Sequence, residues 1–131
     1  MPRFVVLEHR WNGVHWDFML ETEPGGPLRA WAVDAPIVDG VALPARQLAD
    51  HRGAYLDYEG EVSAGRGTVR RVDRGTYERL EWAEDFVRVR VAGGQLAGLV
   101  SLRRGVTGMP AGGTDGAGPE PRWTFRLGNF D

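Results

Sequence analysis

The chain has 131 residues, a formal net charge of −2 and a composition that is 42% hydrophobic and 10% aromatic. These values fit one compact domain with a real core and exclude a chain that is disordered throughout. It has no cysteine, and all its basic residues are arginine; disulfides, thiolate metal sites, a cysteine nucleophile and lysine Schiff-base chemistry are therefore excluded.

The N-terminal apolar stretch begins at Phe4 and is interrupted at His9 and Arg10. It is too short for a signal peptide or a membrane span. The sequence therefore predicts a cytoplasmic protein with no membrane partner. The small negative net charge also predicts no global basic field for a long duplex.

Residues 4–9 are rich in β-branched and aromatic side chains and predict a first strand, which the Trp11-Asn12-Gly13 turn ends. Residues 15–21 alternate in polarity, which predicts a second strand with two distinct faces. One face carries His15, Asp17, Met19 and Glu21, and the other carries Trp16, Phe18 and Leu20.

The His15-x-Asp17 spacing indicates a metal site. Residues two apart on a strand project from the same face, so an imidazole and a carboxylate can converge on one ion. His9 ends the preceding strand and can approach across the turn. Two nitrogens and one carboxylate oxygen suit Mn²⁺, Fe²⁺ or Zn²⁺, although a His-x-Asp pair alone is more often an ordinary polar pair.

The rest of the chain predicts further short strands and little helix. Short helical turns are predicted at 45–50 and at the start of 76–84. Gly93-Gly94 predicts a hairpin, and the Gly- and Pro-rich residues 105–121 predict a flexible surface loop within one domain spanning 1–131. We therefore predict an all-β fold, a small closed or nearly closed barrel. The strands are predicted at 28–33, 67–72, 85–91, 95–102 and 122–127.

Several ordered motifs make the chain resemble the 3'-phosphoesterase domain family of bacterial DNA ligase D. Phe4 to Glu21 resembles its opening motif, which is His, five residues, then His-x-Asp-Phe-x-Leu-Glu. Further similar segments follow in the order expected for the family. They are Leu28 to Val33, Asp50-His51 with Tyr55, Asp57 to Gly60, Gly65 to Val69 and Asp73 to Glu78.

The resemblance implies that His9, His15 and Asp17 bind a divalent ion, usually manganese in this family. It also implies that His51 contacts the scissile phosphate and that Tyr55 lines the same pocket. Family members remove a 3'-terminal ribonucleotide and then a 3'-phosphate, so the implied substrate is a nucleic-acid 3' end. A repair polymerase or ligase would act in trans.

The chain departs from the family pattern at two site positions. Met19 stands where the family carries a phosphate-gripping arginine, and Ala49 stands where it carries a glutamate. Arg66, between two glycines, is the first candidate to restore the missing charge, ahead of Arg46 and Arg52.

Two further side chains have open roles at this stage. Trp11 lies in the turn beside His9, where exposure and base stacking are both plausible. Glu21 is interpreted either as a support for the ligands or as a surface residue.

Three functional hypotheses follow. The first is a metal-dependent phosphoesterase acting on a nucleic-acid 3' end or a small phosphoester in DNA repair. The second, suggested by Met19 and Ala49, is a catalytically impaired homologue that binds nucleic-acid ends or a repair protein. The third is a lipocalin-like binder of small apolar ligands, which the polar His and Asp face disfavours.

Overall fold

The structure, a computed structural model, describes residues 1–105 and 122–128. It contains nine strands and one short 3₁₀ helix, Gly53–Leu56. The strands are β1 (Arg3–Arg10), β2 (Val14–Glu21), β3 (Leu28–Val33), β4 (Ala42–His51), β5 (Gly60–Glu61), β6 (Thr68–Trp82), β7 (Phe86–Gly93), β8 (Ala97–Arg104) and β9 (Trp123–Gly128). The all-β prediction with little helix is confirmed.

All nine strands form one antiparallel sheet in the order β1-β2-β3-β4-β9-β8-β7-β6-β5. The long strand β6 also pairs with β1, from Arg3 opposite Thr76 to Arg10 opposite Thr68. This pairing brings the two sides of the sheet together, so the strands form a near-complete ring with β5 as an addition to β6. Strand alternation then gives every strand one face toward the interior and one away from it.

The inward face forms a large apolar cluster in which Phe18, Trp31 and Phe125 are fully buried. Aromatic rings meet edge to face inside it, with Phe18 and Phe125 ring centroids 5.2 Å apart. Side chains therefore occupy the interior of the ring. This cluster contains Phe4, Val6, Phe18, Leu20, Trp31, Val33, Leu43, Ala45, Tyr77, Val87, Val89, Val91, Val100, Leu102, Trp123, Phe125 and Leu127.

A second apolar cluster lies on the outward face of β1, β2 and β3. A covering segment, which we define as residues 52–67, crosses this face and adds Leu56 and Val62 to the cluster. Burying such side chains contributes roughly 1.5–3 kcal/mol each, which fixes the segment against the sheet. This outer cluster consists of Val5, Leu7, Met19, Leu28, Ala30, Leu56, Val62 and Val69.

Polar contacts also fasten the covering segment. An Arg3 guanidinium nitrogen lies 2.7 Å from an Asp57 carboxylate oxygen, and the Arg71 backbone N–H donates to Glu59 over 2.7 Å. The hydrogen bond from Arg3 lowers the pKa of the Asp57 carboxyl. Asp57 and Glu59 thus anchor the segment.

Two predicted helical turns are wrong. Residues 45–50 belong to β4, which pairs with β3 and β9, and residues 76–82 belong to β6, which pairs there with β7. Both stretches contain good helix formers, but the hydrogen bonds and buried side chains supplied by neighbouring strands outweigh that local preference.

The predicted Gly93-Gly94 hairpin is confirmed, since Ala92 and Ala97 face each other across it. The buried Asp73 carboxylate accepts backbone N–H bonds from Gly94, Gln95 and Leu96 at 2.7–3.0 Å. A side chain at Gly93 would lie 2.5 Å from that carboxylate, which explains the glycine.

The predicted loop at 105–121 lies, beyond Gly105, outside the described residues. Within the described ranges, no helix is long and apolar enough to cross a membrane.

Candidate metal centre and its cleft

The β1–β2 hairpin brings the two N-terminal histidines together. Asn12 and Gly13 adopt positive φ angles of 57° and 115° in its turn, a conformation that Asn-Gly sequences favour. The resulting register places His9 directly opposite His15. Local turn chemistry therefore aligns the pair, and alternation on β2 places Asp17 on the same outward face.

The three side chains converge on the buried Asp17 carboxylate. Its Oδ1 lies 2.6 Å from His15 Nδ1 and its Oδ2 lies 3.3 Å from His9 Nδ1. One potential ligand atom from each residue lies within 4.8 Å of the others. Atoms bound to one ion at about 2.0–2.2 Å are separated by distances in this range, so the group could hold a metal.

A backbone carbonyl fixes the orientation of His9. Its Nε2 lies 2.8 Å from the Arg66 carbonyl oxygen, which can only accept, so Nε2 carries the proton. In the neutral ring, Nδ1 then presents a lone pair toward the Asp17 oxygen. Two atoms whose lone pairs face each other need a proton or a cation between them. These ligand atoms therefore fit a metal ion.

The close approach of Arg66 depends on Gly67. A Cβ at Gly67 would lie 1.9 Å from the Arg10 carbonyl oxygen, and the residue has a φ of +81°. Only glycine allows the covering segment to come this close to the hairpin. Sequence reasoning singled out Arg66 for its side chain and missed the role of its carbonyl, although the flanking glycines signalled it.

The neighbouring Glu8 is not part of the group. Its carboxylate receives a 2.9 Å hydrogen bond from Arg70 Nε and another from Arg10. The Arg70 hydrogen bond lowers the pKa of the Glu8 carboxyl. Glu8 is thus held in a separate ion-pair cluster, which leaves Asp17 as the carboxylate facing the two histidines.

A cleft of about 620 Å³ opens over this group on the outward face of the sheet. All six predicted site residues line it: His9, His15, Asp17, His51, Tyr55 and Arg66. The remaining lining residues are Trp11, Asn12, Arg46, Leu48, Ala49, Asp50, Arg52, Val62 and Val69. The cleft therefore joins the hairpin turn, the end of β4 and the covering segment.

His51 and Tyr55 form one wall of the cleft. The His51 Nδ1 lies 2.8 Å from the Ala49 carbonyl oxygen, so Nδ1 carries a proton and Nε2 remains for other partners. The Tyr55 ring meets the His51 ring edge to face at 5.5 Å. The bond to the Ala49 backbone holds the imidazole without the family's glutamate side chain.

Three arginines border the cleft, namely Arg46, Arg52 and Arg66. The Arg66 guanidinium donates to the Ser63 carbonyl oxygen over 2.9 Å and lies 3.2 Å from the Ser63 hydroxyl. Arg66 thus borders the cleft, and its hydrogen bonds with Ser63 hold its side chain against the covering segment.

The position of Met19 on the strand face suggests that it lines the cleft, but its side chain does not do so. Its side chain is 1% exposed and lies in the outer cluster beneath Leu48 and Tyr55. The apolar residues of the covering segment account for this burial. At the position where the family carries an arginine, this chain thus has a methionine that packs below the cleft.

Glu21 has neither of its two expected roles. It is buried, and its carboxylate accepts 2.9 Å hydrogen bonds from the Arg3 and Gly25 backbone N–H groups. It fastens the β2–β3 turn at the far end of the strand from the histidines.

Trp11 is 44% exposed at the rim of the cleft. Its ring lies nearly parallel to His9, at an interplanar angle of 21° and a centroid distance of 6.2 Å. An exposed indole beside the candidate ligands offers a flat surface for a ligand's ring.

One family model and two known DNA repair proteins match the sequence. The family model described as the DNA Ligase D 3'-phosphoesterase domain matches residues 7–104. The chain is similar to the Multifunctional non-homologous end joining DNA repair protein LigD of Mycobacterium tuberculosis, with 33% identity over 110 residues, covering 77% of this chain and 14% of that protein. It is also similar to the Multifunctional non-homologous end joining protein LigD of Pseudomonas aeruginosa, with 37% identity over 84 residues, covering 60% of this chain and 10% of that protein. The chain thus spans only a small part of these relatives.

Proposed function

This chain belongs to the DNA ligase D 3'-phosphoesterase domain family, and from that premise we propose that it is a divalent-metal-dependent phosphoesterase that removes a 3'-terminal ribonucleotide or 3'-phosphate during DNA repair. The observation that carries the proposal is the convergence of His9, His15 and Asp17 at the base of a cleft that also contains His51. Family membership supplies the reaction class, and the cleft supplies the groups to carry it.

The proposed ligands are His9, His15 and Asp17, with Mn²⁺ as the first candidate and Zn²⁺ or Fe²⁺ as others. Support comes from the chemistry of the donors: one anionic oxygen ligand and two imidazoles, one of which is oriented by the Arg66 carbonyl. When bound, the ion would stabilise charge on a phosphoryl oxygen and lower the pKa of a water molecule.

The protein's own groups would orient the phosphate and move protons. A protonated His51 can donate from Nε2 to a phosphate oxygen or to the leaving oxygen, because Nδ1 is already engaged by the Ala49 carbonyl. Arg66 and Tyr55 border the same space, and a guanidinium there would bind the phosphate oxygens in place of the missing arginine.

The proposed substrate is a nucleic-acid 3' end. A cleft of about 620 Å³ is large enough for a nucleotide, and the exposed Trp11 ring can stack on a base while the phosphate meets the histidines. Repair enzymes that use the resulting 3'-hydroxyl, a polymerase or a ligase, are the proposed partners.

The direct test measures phosphate release from a 3'-phosphorylated primer-template with Mn²⁺. The wild type is compared with His15→Ala and with Glu78→Gln, an exposed substitution on β6. We expect turnover in the wild type and in Glu78→Gln, and loss of at least 100-fold in His15→Ala and in the wild type with chelator. Equal rates in all four samples would contradict the proposal.

A second candidate is a domain that binds 3'-phosphorylated ends without turnover. It is favoured by the burial of Met19 and by the attachment of the Arg66 guanidinium to Ser63. Affinity for a 3'-phosphorylated end over a 3'-hydroxyl end, with no phosphate release under any of Mn²⁺, Zn²⁺ or Fe²⁺, would identify this function.

A further inference from the structure

Four neighbouring strands, β4, β9, β8 and β7, present an outward face rich in arginine. Inward and outward positions are separated by strand alternation, since Leu43, Phe125, Leu102 and Val89 point into the inner cluster. Within the described residues, the outward positions of β7, β8 and β9, and those of β4 as far as Leu48, carry no Asp or Glu. The arginines of this face, which we call the arginine face, are Arg46, Arg88, Arg90, Arg103 and Arg126.

The sheet register aligns these arginines with hydroxyl groups. Arg88 lies opposite Ser101, and Ser101 lies opposite Arg126, so one row crosses β7, β8 and β9. In the adjacent row, Arg103 lies opposite Thr124. Arginine guanidinium groups and Ser and Thr hydroxyl groups are among the groups that bind nucleic-acid phosphates.

On the β6 side, Arg90 lies opposite Glu78 and Arg88 lies opposite Glu81. Among the described residues, Arg90 is the one arginine of this face with a carboxylate within 4.0 Å, that of Glu78 at 3.7 Å. The Arg103 guanidinium lies over the Phe86 ring at 4.3 Å, which restrains it.

Two of the four arginines of β6 contrast with these. Arg70 and Arg74 are both engaged with carboxylates. Among the described residues, four of the five arginines of the arginine face thus have no carboxylate within 4.0 Å.

The arginine face is continuous with the cleft. Arg46 belongs to the face and also lines the cleft. Arg46 lies on β4, which pairs on one side with β3, beneath the cleft, and on the other side with β9, the next strand of the arginine face. Adjacent strands lie about 4.8 Å apart, so the face extends roughly 14 Å from β4 to β7.

We propose that the arginine face binds the phosphate backbone of the strand that leads to the 3' end held in the cleft. The proposal rests on the proposed function for the location of that end. Arginine forks and hydroxyls would hold successive phosphates independently of base sequence. The cleft then selects the terminus, and the arginine face selects a polynucleotide over a mononucleotide.

The test uses fluorescence anisotropy with 3'-phosphorylated single strands of two, four and eight nucleotides, without turnover. The variant Arg88→Gln/Arg103→Gln/Arg126→Gln is compared with the wild type and with Arg70→Gln/Arg71→Gln/Arg74→Gln on β6, which removes the same charge. Circular dichroism and thermal unfolding check the fold of each protein.

For the wild type, affinity should rise from two to eight nucleotides. Removing three phosphate contacts lowers the slope of log K against log salt by about 2 and weakens octanucleotide binding about 100-fold at 0.1 M salt. The β6 variant should keep most of the length dependence. Hydrolysis of a mononucleoside 3'-phosphate, measured separately, should be unchanged in both variants.

Two results would overturn the proposal. Equal losses of octanucleotide affinity in both triple variants would reflect net charge alone. Affinity that does not depend on strand length in the wild type would leave an acidic protein surface as the alternative partner. A failure of hydrolysis in every protein would count against the proposed function, and the binding series would still decide the role of the arginine face.

Discussion

Gly67→Ala is expected to weaken metal binding without touching any proposed ligand. The new Cβ would lie 1.9 Å from the Arg10 carbonyl oxygen and 2.8 Å from Trp11 Cβ. Since Cβ contacts below 3.0 Å are essentially never observed, the backbone must retreat by at least about 1 Å. That movement would stretch the 2.8 Å contact between Arg66 O and His9 Nε2 beyond hydrogen-bonding range.

The loss of such an orienting partner typically lowers metal affinity by about 10–100-fold. Gly65→Ala is the matched control, because Gly65 also has a positive φ, +68°, but a Cβ there would meet nothing within 4 Å. Both substitutions should lose about 1–2 kcal/mol of stability from the left-handed backbone, and Gly67→Ala should lose more.

Isothermal titration with Mn²⁺ and chemical denaturation measure the two effects. Equal Mn²⁺ affinity in Gly67→Ala and Gly65→Ala would refute the assigned role of the Arg66 carbonyl.

Four further outcomes are expected. Wild-type protein at a Mn²⁺ concentration about 100 times Kd should gain about 2.7 kcal/mol in the free energy of unfolding, whereas Asp17→Asn should gain little; equal gains would argue against Asp17 as a ligand. Trp11→Ala should raise KM for a 3'-phosphorylated oligonucleotide roughly 10-fold, from about 1–3 kcal/mol of stacking, and leave hydrolysis of a base-free phosphoester unchanged; a parallel loss on both substrates would contradict stacking. Asp73→Asn keeps one acceptor oxygen for the backbone N–H groups that both carboxylate oxygens now accept, and should lower stability by about 1–3 kcal/mol in urea denaturation. Because Arg3 lowers the pKa of Asp57, the stability difference between wild type and Asp57→Asn should be present at neutral pH and shrink as the pH falls through the folded pKa of that carboxyl; a difference independent of pH from 7 to 2 would contradict this linkage.

The sequence by itself determined the elements whose signals are local. Alternation on residues 15–21 placed His15 and Asp17 on one face, and the Asn12-Gly13 turn predicted the hairpin that brings His9 to them. The apolar runs predicted seven of the strands and the all-β class, and the ordered motifs indicated the family. Each of these follows from the period of a strand or the backbone preference of a turn, which neighbouring residues carry.

Only the tertiary structure decided the features that depend on distant segments. Residues 45–50 and 76–82 became strands because neighbouring strands offered hydrogen bonds and burial, which no local propensity records. Met19 became core because the covering segment packs over it, and Arg66 presents its carbonyl to His9 across 57 positions of the chain. The arginine face exists because the register aligns β4, β9, β8 and β7. Strand pairing and packing between remote residues set these positions, because alternation specifies which face a side chain occupies but not which partner will lie opposite it.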